Sequence, residues 1–299
     1  MMEAAAELAE SKQLSVGEKL AAYYELTKPR IAFLLVLTAA AGFYLGSNGG
    51  FDAVRFANAM ISIALLAFGV STLNQYLERD IDPLMERTAK RPLPTQRLAP
   101  IEALIFGILL CVAAEVYLFV AINTLTGVLG LIVIVGYVLL YTPLKTRTSA
   151  STAIGAIPGA MPPLMGWTAA ANDITLGAWA MFVTQFLWQF PHFLAIAWMY
   201  RDQYAKAGIL MLPVVEPSGR ITGRQIVLFT MMLVPVSFAP FFLGFAGIIY
   251  LIAAAILGSV FLWSSISAAR SKTNESARRL LYASVIYLPL LFLILVLDH

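Results

Sequence analysis

The chain has 299 residues, 60% of them hydrophobic and 12% charged, with one cysteine and a formal net charge of +3. Together with a mean hydropathy of +0.80, this composition belongs to an integral membrane protein. The small net charge argues against nucleic acid as a partner, and the lone Cys111 excludes an internal disulfide.

Residues 1–22 are polar, with several acidic side chains and no apolar stretch of signal-peptide type, and predict a cytoplasmic tail with a surface helix over 14–24. A single membrane domain is expected over 23–299. Crossing about 30 Å of hydrocarbon takes roughly 20 helical residues. Nine stretches have that character: 29–47, 54–77, 101–122, 124–142, 150–171, 175–199, 224–245, 248–268 and 279–297. The expected fold is all-α, a polytopic bundle of about nine transmembrane helices in the lipid bilayer. Nineteen of the twenty basic residues fall in the tail, at span ends or in the connections after even-numbered spans, and Arg55 alone lies on the other side. Positive charge is retained on the cytoplasmic face, so the N-terminus is expected in the cytoplasm and the C-terminus outside.

Span 1 is introduced by Lys28, Pro29 and Arg30. Proline suits the first helical positions, and the two cations either anchor the helix at the membrane surface or hold an anionic substrate group. Span 2 runs into a polar island, residues 74–94, which carries eight of the 37 formal charges in 21 residues. If the helix continues, Asn74, Glu78 and Asp82 advance by about 40° per four-residue step and share one face. Three oxygen-bearing side chains in that register suit a hard cation such as Mg²⁺. Arg87, Thr88, Lys90 and Arg91 follow at once, and cations of this kind suit phosphate oxygens. Carboxylates followed by cations suggest a magnesium-diphosphate site; the bland alternative is a charged cytoplasmic loop.

Span 3 holds Glu115, an acid inside the membrane that is a functional candidate by default, although its distance from the basic face favours packing or snorkelling. Span 4 ends in Tyr141, Lys145 and Arg147, either a basic anchor or a second contribution to a phosphate pocket. Span 5 is interrupted by Gly155, Pro158, Gly159, Pro162, Pro163 and Gly166 and predicts a kinked helix against a cavity. Span 6 carries Gln189, Pro191 and His192, and ends near Asp202. An isolated histidine on an apolar helix is more often a packed, hydrogen-bonded group than a ligand.

The NxxxExxxD of Asn74, Glu78 and Asp82, followed by MERTAKRPLP, resembles the first aspartate-rich motif of the UbiA-type intramembrane prenyltransferases. LTKPR at 26–30, YTPLKTRT at 141–148, GAIPGAMPPLMGW at 155–167 and WQFPHF at 188–193, running into MLPV at 211–214, are similar to the haem-farnesylating branch of that family. The likeness covers nearly all of 23–299. It implies a helical bundle around a central cavity, with an active site at the cytoplasmic face of a bacterial-type inner membrane. It implies a substrate pair of farnesyl diphosphate and haem b, and Mg²⁺ as cofactor. Carried over by residue, Asn74, Glu78 and Asp82 would hold the metal and the diphosphate, with Arg87, Arg91, Lys145 and Tyr141 neutralising or orienting it. Arg30 and Arg147 would be partners for the haem propionates.

One departure is plain: where quinone-type members have a second aspartate cluster on span 6, this chain offers His192 and Asp202. His192 could ligate haem iron, orient the substrate or serve a water-addition step. Asp202 could join the metal shell or pair with a cation. The product of such an enzyme would pass to a haem-modifying or oxidase-assembly partner. Prenylation of a quinone precursor, and transport along a path of intramembrane polar groups, are the competing readings.

Overall fold

The computed structural model describes residues 14–299, so the part of the expected tail at 1–13 lies outside the described residues. Every described element is helical. Helix α1, Val16–Leu26, begins at Ser15, which closes a capping box with Glu18. It rests on the bundle through Ala22 and Leu26, which pack with Leu93, Leu98 and Ala103, and Lys19 pairs with Glu102.

The bundle follows in order. Helices α2 (Pro29–Gly46) and α3 (Ala53–Glu78) form the first hairpin. Helix α4 (Pro100–Tyr117) continues as a π-helical turn to Ile122. Helix α5 (Thr124–Ile134) also passes into a π-helical stretch, Val135–Tyr141, before its last turn at Thr142–Leu144. The expected fifth span is two helices, α6 (Ser151–Gly159) and α7 (Met161–Ala171). Pro162 and Pro163 supply no N–H to bond carbonyls of the preceding turn, so the helix restarts there rather than bending smoothly. Helix α8 (Leu176–Met199) is followed by the short α9 (Arg201–Lys206) and α10 (Leu212–Val215). The chain ends with α11 (Arg220–Val236), α12 (Ala239–Phe242), α13 (Ile248–Ser271) and α14 (Asn274–Leu297).

Among the described residues seven helical passages are long and apolar enough to cross a membrane: Pro29–Gly46, Ala53–Glu78, Pro100–Ile122, Thr124–Leu144, Arg220–Phe242, Ile248–Ser271 and Asn274–Leu297. The remaining two expected spans differ for separate reasons. The broken pair α6 and α7 is too short in either half. Helix α8 has 24 residues, but Gln185, Gln189 and His192 dilute its apolar character.

Packing explains why those polar residues are tolerated. Gln185 and Gln189 donate to the carbonyls of Gly159 and Ala156, at 2.8 and 2.9 Å, and the Gly159 carbonyl has no helical N–H to accept because Pro163 stands four residues on. Helix α2 lies closely along α7, α3 along α4, and α13 between α11 and α14. Close approach of α2 to α7 depends on Gly42 and Gly166, whose bare Cα atoms face the carbonyls of Pro163 and Ala39. Phe190 of α8 stacks on Phe229 of α11 at 3.7 Å between ring centres. Glu115 is buried against Gly130 with both oxygens lacking a hydrogen-bond partner, so it packs rather than snorkels.

Candidate active site

The α3 helix ends at Glu78, four residues short of Asp82. Asp82 instead opens a separate 3₁₀ turn, Asp82–Leu84. Pro83 has no N–H to bond the Arg79 carbonyl and its ring crowds that position, so the straight-helix register expected for Asn74, Glu78 and Asp82 stops at Glu78. Asp82 is returned to the site by other contacts. Nη1 of Arg91 lies 2.7 Å from each Asp82 carboxylate oxygen and 3.5 Å from Glu78 Oε2. Thr88 donates to the Asp82 carbonyl at 2.8 Å, closing the loop between them.

On its other side Glu78 accepts from Lys145 Nζ at 2.5 Å, joining the end of α3 to the end of α5. The same ammonium stands 4.4 Å from the centre of the Tyr141 ring, a cation–π contact. Asn74, one turn before Glu78, accepts from Lys28 Nζ at 2.8 Å and donates to Thr142 Oγ1 at 3.2 Å. Asn74, Glu78 and Asp82 are all buried. One end of the bundle therefore gathers three oxygen-bearing side chains and three cations.

Lys28 reaches this place through an unusual backbone. It caps α2 in the left-handed region, φ 48°, directly before Pro29. Such a conformation is costly for a residue with a Cβ and persists where surrounding contacts enforce it. Burial pushes the Lys28 ammonium down to about 7, with the repulsion of Arg91 and Lys145 working against the pull of Glu78 and Asp82. Burial likewise pushes the Asp82 carboxyl up, against the pull of Arg91. Lys145 behaves differently: burial opposes its charge, yet the adjoining Glu78 carboxylate holds its pKa above the ordinary lysine value. These shifts describe a desolvated site crowded with charge.

Arg87 stands at the rim. It is exposed, donates to Tyr204 OH at 3.0 Å and lies over the rings of Tyr200 and Tyr204. Met85 fixes this part of the island in an apolar cluster with Ala197, Tyr204, Ala207, Ile209 and Met211. His192 is not among the island's partners: its Nδ1 meets Ser284 Oγ of α14 at 2.8 Å. Asp202 is 88% exposed in its side chain and lies only within 4.0 Å of Arg201. Arg30 and Arg147 are exposed, and among the described residues no hydrogen bond or ion pair ties either to the cluster. Lys28 and Thr142 are the members that motif spacing does not single out. The Lys-Pro step was the available sign for Lys28; Thr142 has none beyond its place beside Tyr141.

The donor set fits a magnesium ion. An amide oxygen and two carboxylates are hard ligands. Among the described residues no three His, Cys, Asp or Glu side chains form a metal-binding group. Mg²⁺ is commonly held by one or two carboxylates together with substrate phosphate oxygens, and Glu78 and Asp82 are the two carboxylates this cluster offers.

Oxygen donors and cations gathered at one end of membrane-crossing helices have the chemistry to hold an anionic head group beside an apolar surface. The chain belongs to the UbiA prenyltransferase family, whose sequence pattern matches residues 35–293. It is 46% identical over 286 residues to the protoheme IX farnesyltransferase of Solibacter usitatus, covering 93% of this chain and 98% of that one. Among solved structures, a digeranylgeranylglyceryl phosphate synthase aligns with a TM-score of 0.79 at 20% identity, over 94% of this chain and 98% of its own. A UbiA homologue from Archaeoglobus fulgidus bound to GPP and Mg²⁺ aligns with a TM-score of 0.69 at 17% identity, over 92% and 99%. At these identities the structural likeness is one of fold.

Proposed function

We propose that the protein transfers the farnesyl group of farnesyl diphosphate to a vinyl group of protohaem IX, haem b, releasing diphosphate and leaving a hydroxyethylfarnesyl substituent. The observation that carries this reading is the buried network Lys28–Asn74 and Lys145–Glu78–Arg91–Asp82 at one end of the bundle. Its three cations exceed its two carboxylates by one charge, and a bound dication would raise the excess to three, enough to balance a prenyl diphosphate head. The name carried by the Solibacter relative supplies the acceptor.

Asn74, Glu78 and Asp82 are the residues that would hold Mg²⁺, which when bound neutralises charge growing on the leaving diphosphate. Arg91 and Lys145 would turn from the carboxylates, and Lys28 from the Asn74 amide oxygen, toward diphosphate oxygens, with Tyr141 and Arg87 at the edge of the pocket. As the C1–O bond breaks, its electron pair leaves with the diphosphate, and the cations stabilise the charge where it develops. The farnesyl carbocation is attacked by the vinyl π bond; water then adds to the cation on the former vinyl group and loses a proton. Apolar walls protect the first cation from water until the vinyl carbon has reacted. Asp202, Arg30 and Arg147 would act through substrate contacts at the exposed rim.

The basic asymmetry supports an inner-membrane orientation with the N-terminus and this site on the cytoplasmic side and the C-terminus outside. The test is a pigment assay in detergent with haem b, farnesyl diphosphate and Mg²⁺. Wild type is expected to yield farnesylated hydroxyethyl haem, and Asp82→Ala none. Consumption of the diphosphate with a different acceptor and not with haem would overturn the acceptor; no turnover by a folded protein would overturn the reading.

A further inference from the structure

His192 and Ser284 are 92 positions apart in the chain and meet where α8 packs on α14, with Nδ1 2.8 Å from Oγ. Which of the two donates can be decided from the other contacts of the serine. A hydroxyl has one proton, and that of Ser284 is directed at the Leu281 carbonyl, 2.6 Å away. Toward the imidazole the oxygen can then only accept, so the proton of the shared bond resides on Nδ1. Ser284 is fully buried, which keeps water from competing for it.

Trp188, one helical turn before His192, completes the support. Its indole Nε1 donates to the Ser284 carbonyl at 2.7 Å, and its ring lies nearly parallel to the imidazole, centres 4.6 Å apart at 22°. Stacking fixes the plane of the histidine ring, and the serine fixes its rotation within that plane. A neutral imidazole protonated at Nδ1 carries an unshared electron pair at Nε2, on the side of the ring turned away from Ser284.

We infer that Ser284 is a positioning residue that locks His192 in the Nδ1–H tautomer and thereby presents Nε2 as a ligand for the iron of the haem acceptor. The iron part rests on the haem reading given above. A second hydrogen bond of this kind commonly sets the tautomer and orientation of a metal-binding histidine. Without it, His192 would be free to carry its proton on Nε2, where it blocks ligation.

The chain has only two histidines, so ¹⁵N-histidine labelling reads the tautomer directly, with His299→Gln assigning the signals. Wild type is expected to show a protonated Nδ1 and a bare Nε2 at His192, Ser284→Ala to show the proton moving to Nε2, and Ser284→Thr, which keeps the hydroxyl, to behave as wild type. Titration with ferric haem b is the second arm. Wild type is expected to give an imidazole-ligated absorption spectrum that His192→Ala lacks, and Ser284→Ala to bind haem roughly 10–100-fold more weakly, with Ser284→Thr restoring affinity. Farnesyl diphosphate binding by Ser284→Ala at wild-type strength confirms that the variant is folded. A wild-type Nε2–H tautomer, or haem affinity and spectrum unaltered in Ser284→Ala, would overturn the inference even in an enzyme that farnesylates haem. A wild type with the expected tautomer that binds haem without an imidazole-ligated spectrum would overturn the iron assignment alone, and one that binds no haem at all would overturn the haem reading as well, leaving the serine's hold on the tautomer intact.

Discussion

Lys145 and Glu78 form an ion pair across 67 positions of sequence, Nζ to Oε1 2.5 Å, with the carboxylate buried and 14% of the lysine side chain exposed, and it is the contact that ties the end of α3 to the end of α5. A carboxylate at a helix C-terminus opposes the helix dipole, so Glu78 depends on Lys145 and Arg91 for its charge. Removing one member of a buried pair typically costs about 3–5 kcal/mol, because the other is left without a counter-charge. Glu78→Gln is therefore expected to lower the melting temperature in detergent and to abolish farnesyl transfer. Unchanged thermal stability would show that the pair is not held in the folded protein.

Arg91 makes its two contacts to Asp82 and its approach to Glu78 through a single guanidinium nitrogen. Lysine keeps the charge but carries it on a flexible, strongly hydrated ammonium that is not pre-organised between the two carboxylates. Arg91→Lys is expected to reduce kcat/KM for farnesyl diphosphate at least about 10-fold, a loss of ~1.4 kcal/mol in transition-state stabilisation. Full activity would mean that a point charge suffices and that the geometry around Asp82 is incidental.

Lys28 allows charge and backbone to be separated. Its left-handed φ of 48° suits glycine better than any residue with a Cβ. Both Lys28→Ala and Lys28→Gly lose the ammonium and are expected to raise the KM for farnesyl diphosphate to a similar degree. The glycine variant should be the more stable of the two by about 1 kcal/mol, since only it relaxes the strain. Equal stability of the two variants, measured by thermal unfolding, would count against strain at this position.

What could be read from sequence and what could not divide along physical lines. The membrane-crossing stretches are legible because hydrophobic length is a local property, and an interruption of the fifth span because Pro158, Pro162 and Pro163 act locally too, although the sequence predicts a kink where the structure has two helices. The island announces its residue types: oxygen donors, then cations. Its geometry is not announced. Asp82 leaves the helix and returns through Arg91, and Lys28 joins from another helix through a backbone conformation that no spacing encodes. Ser284 is the extreme case, an ordinary serine on an apolar helix whose partner lies 92 residues away. The partners of the α8 glutamines are equally hidden: they lower the hydropathy of a helix that uses them to bond the Gly159 and Ala156 carbonyls of α6.

Exposure separates further charged residues from the buried network. Asp202 has a side chain 88% exposed, and Arg147 is exposed with no bond to Glu78, Asp82 or Asn74. Surface substitutions away from special contacts usually shift stability by no more than about 0.5 kcal/mol. Asp202→Asn and Arg147→Gln are expected to leave the melting temperature unaltered and the KM for farnesyl diphosphate within about twofold of wild type, a difference of ~0.4 kcal/mol. A KM raised more than about tenfold in either would bring that residue into contact with the diphosphate in the working enzyme.

The closest helix approach gives the sharpest stability test. A Cβ added at Gly166 would stand 1.9 Å from the Ala39 carbonyl oxygen, and one at Gly42 would stand 2.0 Å from that of Pro163. Both obstacles are backbone, so neither can swing aside as a side chain would. Small residues permit this kind of contact in membranes, where helix association relies on close packing rather than on the exclusion of water. Gly166→Ala is expected to separate α2 from α7 and to cost more than the usual 1–3 kcal/mol of overpacking, seen as loss of folded protein in detergent. Gly17, on the exposed α1, meets nothing within 4 Å, and there the same substitution should gain up to about 1 kcal/mol from helix propensity alone. If Gly166→Ala were recovered with a wild-type melting temperature, α2 and α7 would have to sit farther apart than their backbone contacts place them.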